Sequence, residues 1–185
     1  MNETNESLIA AFPSAARFEA RIAISQLAED PHAARWRKYS VIVAGEMLSI
    51  PERIYHDASR VQTLRFPERQ QEIVGCLMTR HADGLIRQHY LSSIIRSRHD
   101  WIPAFVIRLA GEYVVEILQG IQQNLPFLDE TVYRDFLLCN PGFLQLTQKR
   151  IVSYWDCYYR RIKREDYAGF KVGAFFEGLV KSEHK

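Results

Sequence analysis

A chain of 185 residues can bury a sizeable core, and 47% hydrophobic with 25% charged residues excludes both a disordered polymer and a fibre. The formal net charge of +2 names no partner, so affinity for nucleic acid or a membrane surface must come from local patches. No apolar run approaches the roughly 18 residues of a spanning helix, and the start MNETNES is acidic and polar where a secretory leader is basic and then apolar.

Taken in order, residues 1–12 read as a flexible N-terminus. Ser14 is placed to cap a helix over 14–29, with Phe18, Ile22 and Leu27 on or near its buried side and Asp30-Pro31 ending it. Residues 38–50 break the helical habit. Two runs rich in β-branched and apolar residues flank Ala44-Gly45-Glu46, which predicts a β-hairpin with a Gly turn. A lone hairpin is marginal in water, so it must lie on the helices or pair with a further strand near Arg53-Ile54-Tyr55. Residues 56–66 read as a linker, and Pro67 opens a block of three central helices over 67–121.

In the first central helix Ile73, Val74, Leu77 and Met78 recur at helical spacing. Asp83-Gly84 is a turn signal, since Gly accepts a positive φ and Asp bonds nearby amides. Ile86, Tyr90 and Ile94 stripe the second helix, with Leu91 and Ile95 beside them. The third is predicted as one rod over 103–121, with Val106, Leu109, Tyr113, Ile117 and Ile121 aligned and apolar residues around most of its girth. After Asn124-Leu125-Pro126 a short helix over 129–138 is expected, then a break at Asn140-Pro141-Gly142 and a long helix over 143–163. The tail beyond reads as less regular.

The run CLMTRHADGLIRQHYLSSII resembles a HEAT-type repeat unit. That resemblance implies antiparallel helix pairs acting as a scaffold or binding surface, for some members toward nucleic acid. SIPERIYH, TRHADGLIRQ, GEYVVEIL and SYWDCYYR together resemble a set of uncharacterised bacterial proteins, which brings no activity with it. The fold expected is mainly α: a single-domain helical bundle over 13–185 with HEAT-like helical hairpins and a small N-terminal β-hairpin.

Chemistry-bearing residues are sparse. Glu112 and Glu116, four apart and in line with Arg108, could hold a metal or share acid–base work with His81, His89 or His99. We read them instead as a buried charge network with Arg87 and Arg108, because buried charges are usually paired and no specific ligand spacing is present. His56-Asp57 and His99-Asp100 match the dipeptide of HD-type metal phosphohydrolases but lack its apolar helical context, and read as turn and capping residues. Cys76, Cys139 and Cys157 form no CxxC and read as reduced thiols of a cytoplasmic protein. Cys76 in particular sits among apolar residues like a core side chain. No nucleophile elbow or phosphate-cradling loop occurs.

The long helix carries the most distinctive surface, LTQKRIVSYWDCYYRRIKRED. Ile151, Trp155, Tyr158 and Ile162 are expected to dock on the core. Lys149, Arg150, Tyr154, Tyr159, Arg160, Arg161 and Arg164 are left as candidate binding residues, able to meet phosphates and bases or an acidic protein. Asp156, Glu165 and Asp166 dilute that charge. The expectation is a non-enzymatic interaction or scaffold protein with a protein partner or self-association, no catalytic residue, no cofactor and no membrane partner. A nucleic-acid-binding module using 143–164 is the first alternative, and a helical metal-dependent hydrolase the second.

Overall fold

The computed structural model describes residues 3–28, 30, 32 and 36–181. It is mainly helical, with ten α-helices among those residues and a small two-stranded antiparallel sheet toward the N-terminus. The chain divides into two compact units, Met1–Ile94 and Ile95–Lys185. Among the described residues no helix is long and apolar enough to cross a membrane.

The first unit opens with α1 (Glu3–Ile9), where a flexible terminus was expected. The correction has a plain cause: Leu8, Ile9, Ala11 and Phe12 are buried, and burying them offsets the cost of ordering the segment. Ser14 caps nothing; it lies in a 3-10 turn (Ser14–Ala16), and α2 (Arg17–Ser25) follows. Ala20, Ala23 and Ile24 form the inner face of α2, while Phe18 and Ile22, expected on the buried side, are exposed. The predicted helix end at Glu29 and the break at Pro31 fall on positions outside the described residues.

Strands β1 (Lys38–Val43) and β2 (Glu46–Pro51) pair in the register Val41↔Leu48 and Ile42↔Met47. Ala44 (φ 48°) and Gly45 (φ 80°) both sit in the left-handed region, the requirement of a two-residue type I′ hairpin. Val41, Val43, Leu48 and Ile50 point inward and are buried. Among the described residues no third strand joins the pair. Ile54 bridges instead to His81 in parallel sense, and the hairpin is held by the Ser49 amide donating to the Ala10 carbonyl (3.0 Å).

Within the expected linker Asp57 accepts from the Ser59 and Arg60 amides and starts a short helix, α3 (Ala58–Thr63). Helices α4 (Glu68–Met78) and α5 (Gly84–Ile94) pack together, and α2 packs on α4. Pro67 opens α4 and Asp83-Gly84 opens α5, as the sequence indicates. At Gly75 the two helices approach closely: a Cβ there would stand 2.7 Å from Ile94 Cγ2.

The second unit is built on α6 (Ile102–Ala110), buried on every side. The single rod expected over 103–121 is two helices. Gly111 to Val114 leave helical geometry, and α7 (Val115–Asn124) starts anew. Gly111 supplies the weak point, since glycine is the costliest ordinary residue to hold in a helix. Asp129 caps α8 (Glu130–Cys139) by accepting the Val132 amide (3.3 Å). Asn140 then returns its side-chain amide to the Phe136 carbonyl (2.8 Å) before Pro141 opens α9 (Pro141–Tyr154). The tail is no irregular segment but α10 (Ala168–Lys181), packed on α7, α8 and α9. Val172, Phe176 and Leu179 are its buried stripe, and Tyr133 of α8 stacks on Phe176 at 5.7 Å.

Candidate functional site: a tyrosine–arginine face

The long helix expected over 143–163 ends its regular geometry at Tyr154. One π-helical turn, Trp155–Tyr159, follows and leads into a bend through Asp166. Such single π-turns recur at functional sites, because the extra residue re-aims the side chains after it. Here it breaks the expected docking stripe. Ile151 is buried, Trp155 is half-buried, and Tyr158 and Ile162 are exposed.

The turn is held by three contacts. Trp155 Nε1 donates to the Ile162 carbonyl (2.9 Å), folding the chain back on itself. The Arg164 guanidinium lies over both Trp155 (5.3 Å) and Phe170 (4.7 Å), close enough for cation–π attraction to each ring. Tyr159 Oη donates to the Tyr113 carbonyl (2.7 Å), where the backbone between α6 and α7 has left helical geometry and its carbonyl can be reached.

These contacts assemble a tyrosine surface. Tyr154 and Tyr158 stack at 6.3 Å, and Tyr113 meets them edge-on or tilted at 6.0 and 6.3 Å. Tyr159 stacks on the buried Tyr167 at 5.3 Å. Burial, and then the neighbouring Tyr159, push the Tyr167 phenol up to about 12; burial also raises Tyr159. The phenols of Tyr159 and Tyr167 are therefore neutral at ordinary pH. Tyr158 is 67% exposed and Tyr113 48% exposed, so two of the rings offer their faces to solvent.

The basic residues are divided. Arg160 is bound to Asp156 one turn back, through both Nε and Nη2. Lys163 stands 3.9 Å from Glu165, and Arg164 covers its two rings. Arg161 is exposed. Arg150 is half-buried and runs past Gly111, where a Cβ would stand 3.2 Å from its Cδ. Lys149 is exposed one turn earlier and lines a shallow apolar groove with Val152 and Gln148. The structure thus gathers Tyr154, Tyr159, Arg160 and Arg164 around the π-turn and leaves Lys149 outside it. Tyr113, Trp155, Tyr158, Tyr167 and Phe170 were missed as members. The density of rings in SYWDCYYR was the available signal, but helical periodicity assigned Trp155 and Tyr158 to the core.

The expected charge network is corrected in one member. Glu116 is exposed in the first turn of α7, while Arg108 and Glu112 are buried. The break at Gly111 removes the helical spacing that would have aligned the two glutamates. Arg87 is buried within the first unit, where its Nη1 donates to the carbonyls of His81 and Ala82 (2.8 Å each). Among the described residues no three His, Cys, Asp or Glu side chains come together as a metal site. The three cysteines are free thiols, Cys76 buried and Cys139 and Cys157 exposed. Comparison of the chain with models of known families, with curated proteins and with solved structures returns no significant match.

Proposed function

We propose that the chain is a non-enzymatic interaction protein that binds a protein partner through the tyrosine–arginine face of its second unit. The observation that carries this reading is the set Tyr113, Tyr154 and Tyr158 in mutual ring contact at 6.0 to 6.3 Å, with Tyr113 and Tyr158 exposed beside the π-turn that also carries Arg160. Tyrosine and arginine are the residues that most often anchor protein interfaces, because each buries a large rigid surface while keeping a polar tip. Stacking fixes these rings before a partner arrives, which lowers the ordering cost of association. The likeness of CLMTRHADGLIRQHYLSSII to scaffold repeats points the same way, and free thiols fit a cytoplasmic setting.

Nucleic acid is the second reading, favoured by the exposed ring of Tyr158 and the exposed Arg161 and Lys163 a few residues along the chain. Intramolecular use of Arg160 by Asp156 and of Arg164 by Trp155 and Phe170 weighs against it, since phosphate binding needs cations free to release counterions. A photo-crosslinking residue at position 158 separates the readings. Protein adducts in cells at 158, and none with the same residue at the exposed Ser92, are the expected outcome. Salt-sensitive binding of a single-stranded oligonucleotide that is lost in Arg160→Ala/Arg161→Ala would replace the protein reading with the nucleic-acid one.

A further inference from the structure

A second site lies in the first unit and goes beyond the function proposed above. At the end of the hairpin opposite its turn, the register Lys38↔Pro51 is continued by the Glu52 amide donating to the Arg37 carbonyl (2.7 Å). Arg37 and Glu52 therefore stand across from one another at the mouth of a cleft of about 440 Å³, lined also by His32, Trp36, Arg53 and Tyr55. That volume is in the range of small-molecule sites.

The walls are fixed from beneath. Asp30 is 5% exposed, and its carboxylate accepts the His32 amide on one oxygen and the Tyr55 amide on the other, so one buried group holds both sides. His32 and Tyr55 meet edge to face at 4.9 Å. Behind them His81 accepts the Asp83 amide on Nδ1 (3.0 Å), which places its proton on Nε2, facing the His56 carbonyl at 3.0 Å. Arg80 Nη2 donates to the Glu52 carbonyl (2.9 Å).

Among the described residues Trp36 Nε1 is buried with no hydrogen-bond partner, and Trp36 lies edge-on to His56 at 6.2 Å. His56, outside the lining, is 4% exposed, and among the described residues its ring nitrogens make no geometric hydrogen bond, although the Ala28 carbonyl favours the charged ring. Buried polar groups are rarely left so, and when they are a ligand or an ion is a common reason. Arg37 and Arg53 in the lining, with Arg80 reaching the Glu52 carbonyl, outnumber the carboxylates of Glu52 and Asp30, and arginine grips planar carboxylates and phosphates with paired donors. The indole, phenol and imidazole rings supply flat apolar faces beside it.

We propose that this cleft binds a small planar anion, its ring held against Trp36 and Tyr55 and its acidic group at Arg37 and Arg53. An aromatic carboxylate and a nucleoside monophosphate share that chemistry, and the test distinguishes them. The full chain is titrated by calorimetry with salicylate, with adenosine 5′-monophosphate, and with adenosine and inorganic phosphate as separated halves. Saturable binding of salicylate or of the monophosphate with Kd below about 1 mM is expected. The separated halves should bind about tenfold more weakly or not at all, because each uses half of the cleft. Arg37 is exposed, so Arg37→Ala leaves the fold intact and should weaken the binding probe by about tenfold or more. Trp36→Phe should abolish any ligand-induced change in indole fluorescence. Failure of both probes to saturate, or unchanged affinity in Arg37→Ala, would overturn the assignment.

Discussion

Glu46, at the first position of β2, takes the amide and the hydroxyl of Ser14 on its carboxylate, with contacts of 2.7 to 3.1 Å. One side chain thereby ties the hairpin to the segment leading into α2. Ser14 looked like a helix cap in the sequence; its hydroxyl serves a strand instead. Those hydrogen bonds, with the Arg17 guanidinium at 3.7 Å, hold the Glu46 carboxyl below its usual value.

A carboxyl depressed on folding adds stability at pH values above its unfolded pKa of about 4.5, and that stability is lost as pH falls through the lower folded value. Ser14→Ala should raise the Glu46 titration midpoint toward 4.5 and lower the melting temperature at pH 7. Carbon-detected NMR titration of the Glu46 carboxyl checks the first, and calorimetric melting checks the second. A midpoint unchanged by the substitution would remove Ser14 as the cause.

Two glycines should respond in opposite directions to alanine. At Gly75 the new methyl meets Ile94 Cγ2 at 2.7 Å and Ser93 Oγ at 2.9 Å. The serine hydroxyl can rotate, but the isoleucine branch is fixed close to its own backbone, so α4 and α5 must separate. Overpacking of this kind costs about 1–3 kcal/mol, against a helix-propensity gain of about 1 kcal/mol. At Gly178, in α10, nothing lies within 4 Å, and only the propensity gain of about 1 kcal/mol remains. Urea melts followed by circular dichroism should show a lower midpoint for Gly75→Ala and a higher one for Gly178→Ala.

How far the sequence could be read follows from how local each signal is. The hairpin turn was legible because Gly45 accepts the left-handed region that such a turn requires, while Ala44 occupies it against its own preference. The α4–α5 corner was legible through Asp83-Gly84. The split of α6 from α7 was not, since Val114 and Val115 continue an apolar pattern across the break, and only Gly111 hints at it. Nor was the π-turn. Trp155, Tyr158 and Ile162 keep helical spacing along the chain, and one inserted residue in the hydrogen-bond ladder is enough to turn Tyr158 outward. The cleft on the first unit was illegible for another reason. His32 and Tyr55 are brought together by the Asp30 carboxylate, which takes one nearby amide and one distant amide, and no periodicity records such a contact.

His56 makes the first unit acid-sensitive. Burial pushes its imidazole below the usual 6.5, and His81 adds to that; Asp30 and the Ala28 carbonyl oppose it without prevailing. The folded chain therefore binds this proton less readily than the unfolded chain. Stability is complete above about pH 6.5 and falls as pH drops from 6.5 through the folded value, by at most about 1.4 kcal/mol per pH unit for one proton. Urea melts between pH 7.5 and 5 should give that slope, and His56→Phe should flatten it. Asp30→Asn should steepen or extend it, because the group that favours the charged ring is gone. An equal slope in His56→Phe would assign the effect to other groups.

The tyrosine face offers a separation of stability from binding. Tyr159→Phe removes the hydroxyl that donates to the Tyr113 carbonyl at 2.7 Å and leaves the ring stacked on Tyr167. A net loss of about 0.5–1.5 kcal/mol is expected, read as a lower urea midpoint. Tyr158→Ala deletes a ring that is mostly in solvent, so its stability should stay within about 0.5 kcal/mol of the parent. If the face is an interface, Tyr158→Ala should nonetheless lose partner binding by tenfold or more, the effect of removing an anchoring ring. A Tyr158→Ala chain that melts normally and retains every partner adduct, probed through a crosslinker moved to position 154, would mean the exposed rings are decoration on a structural turn.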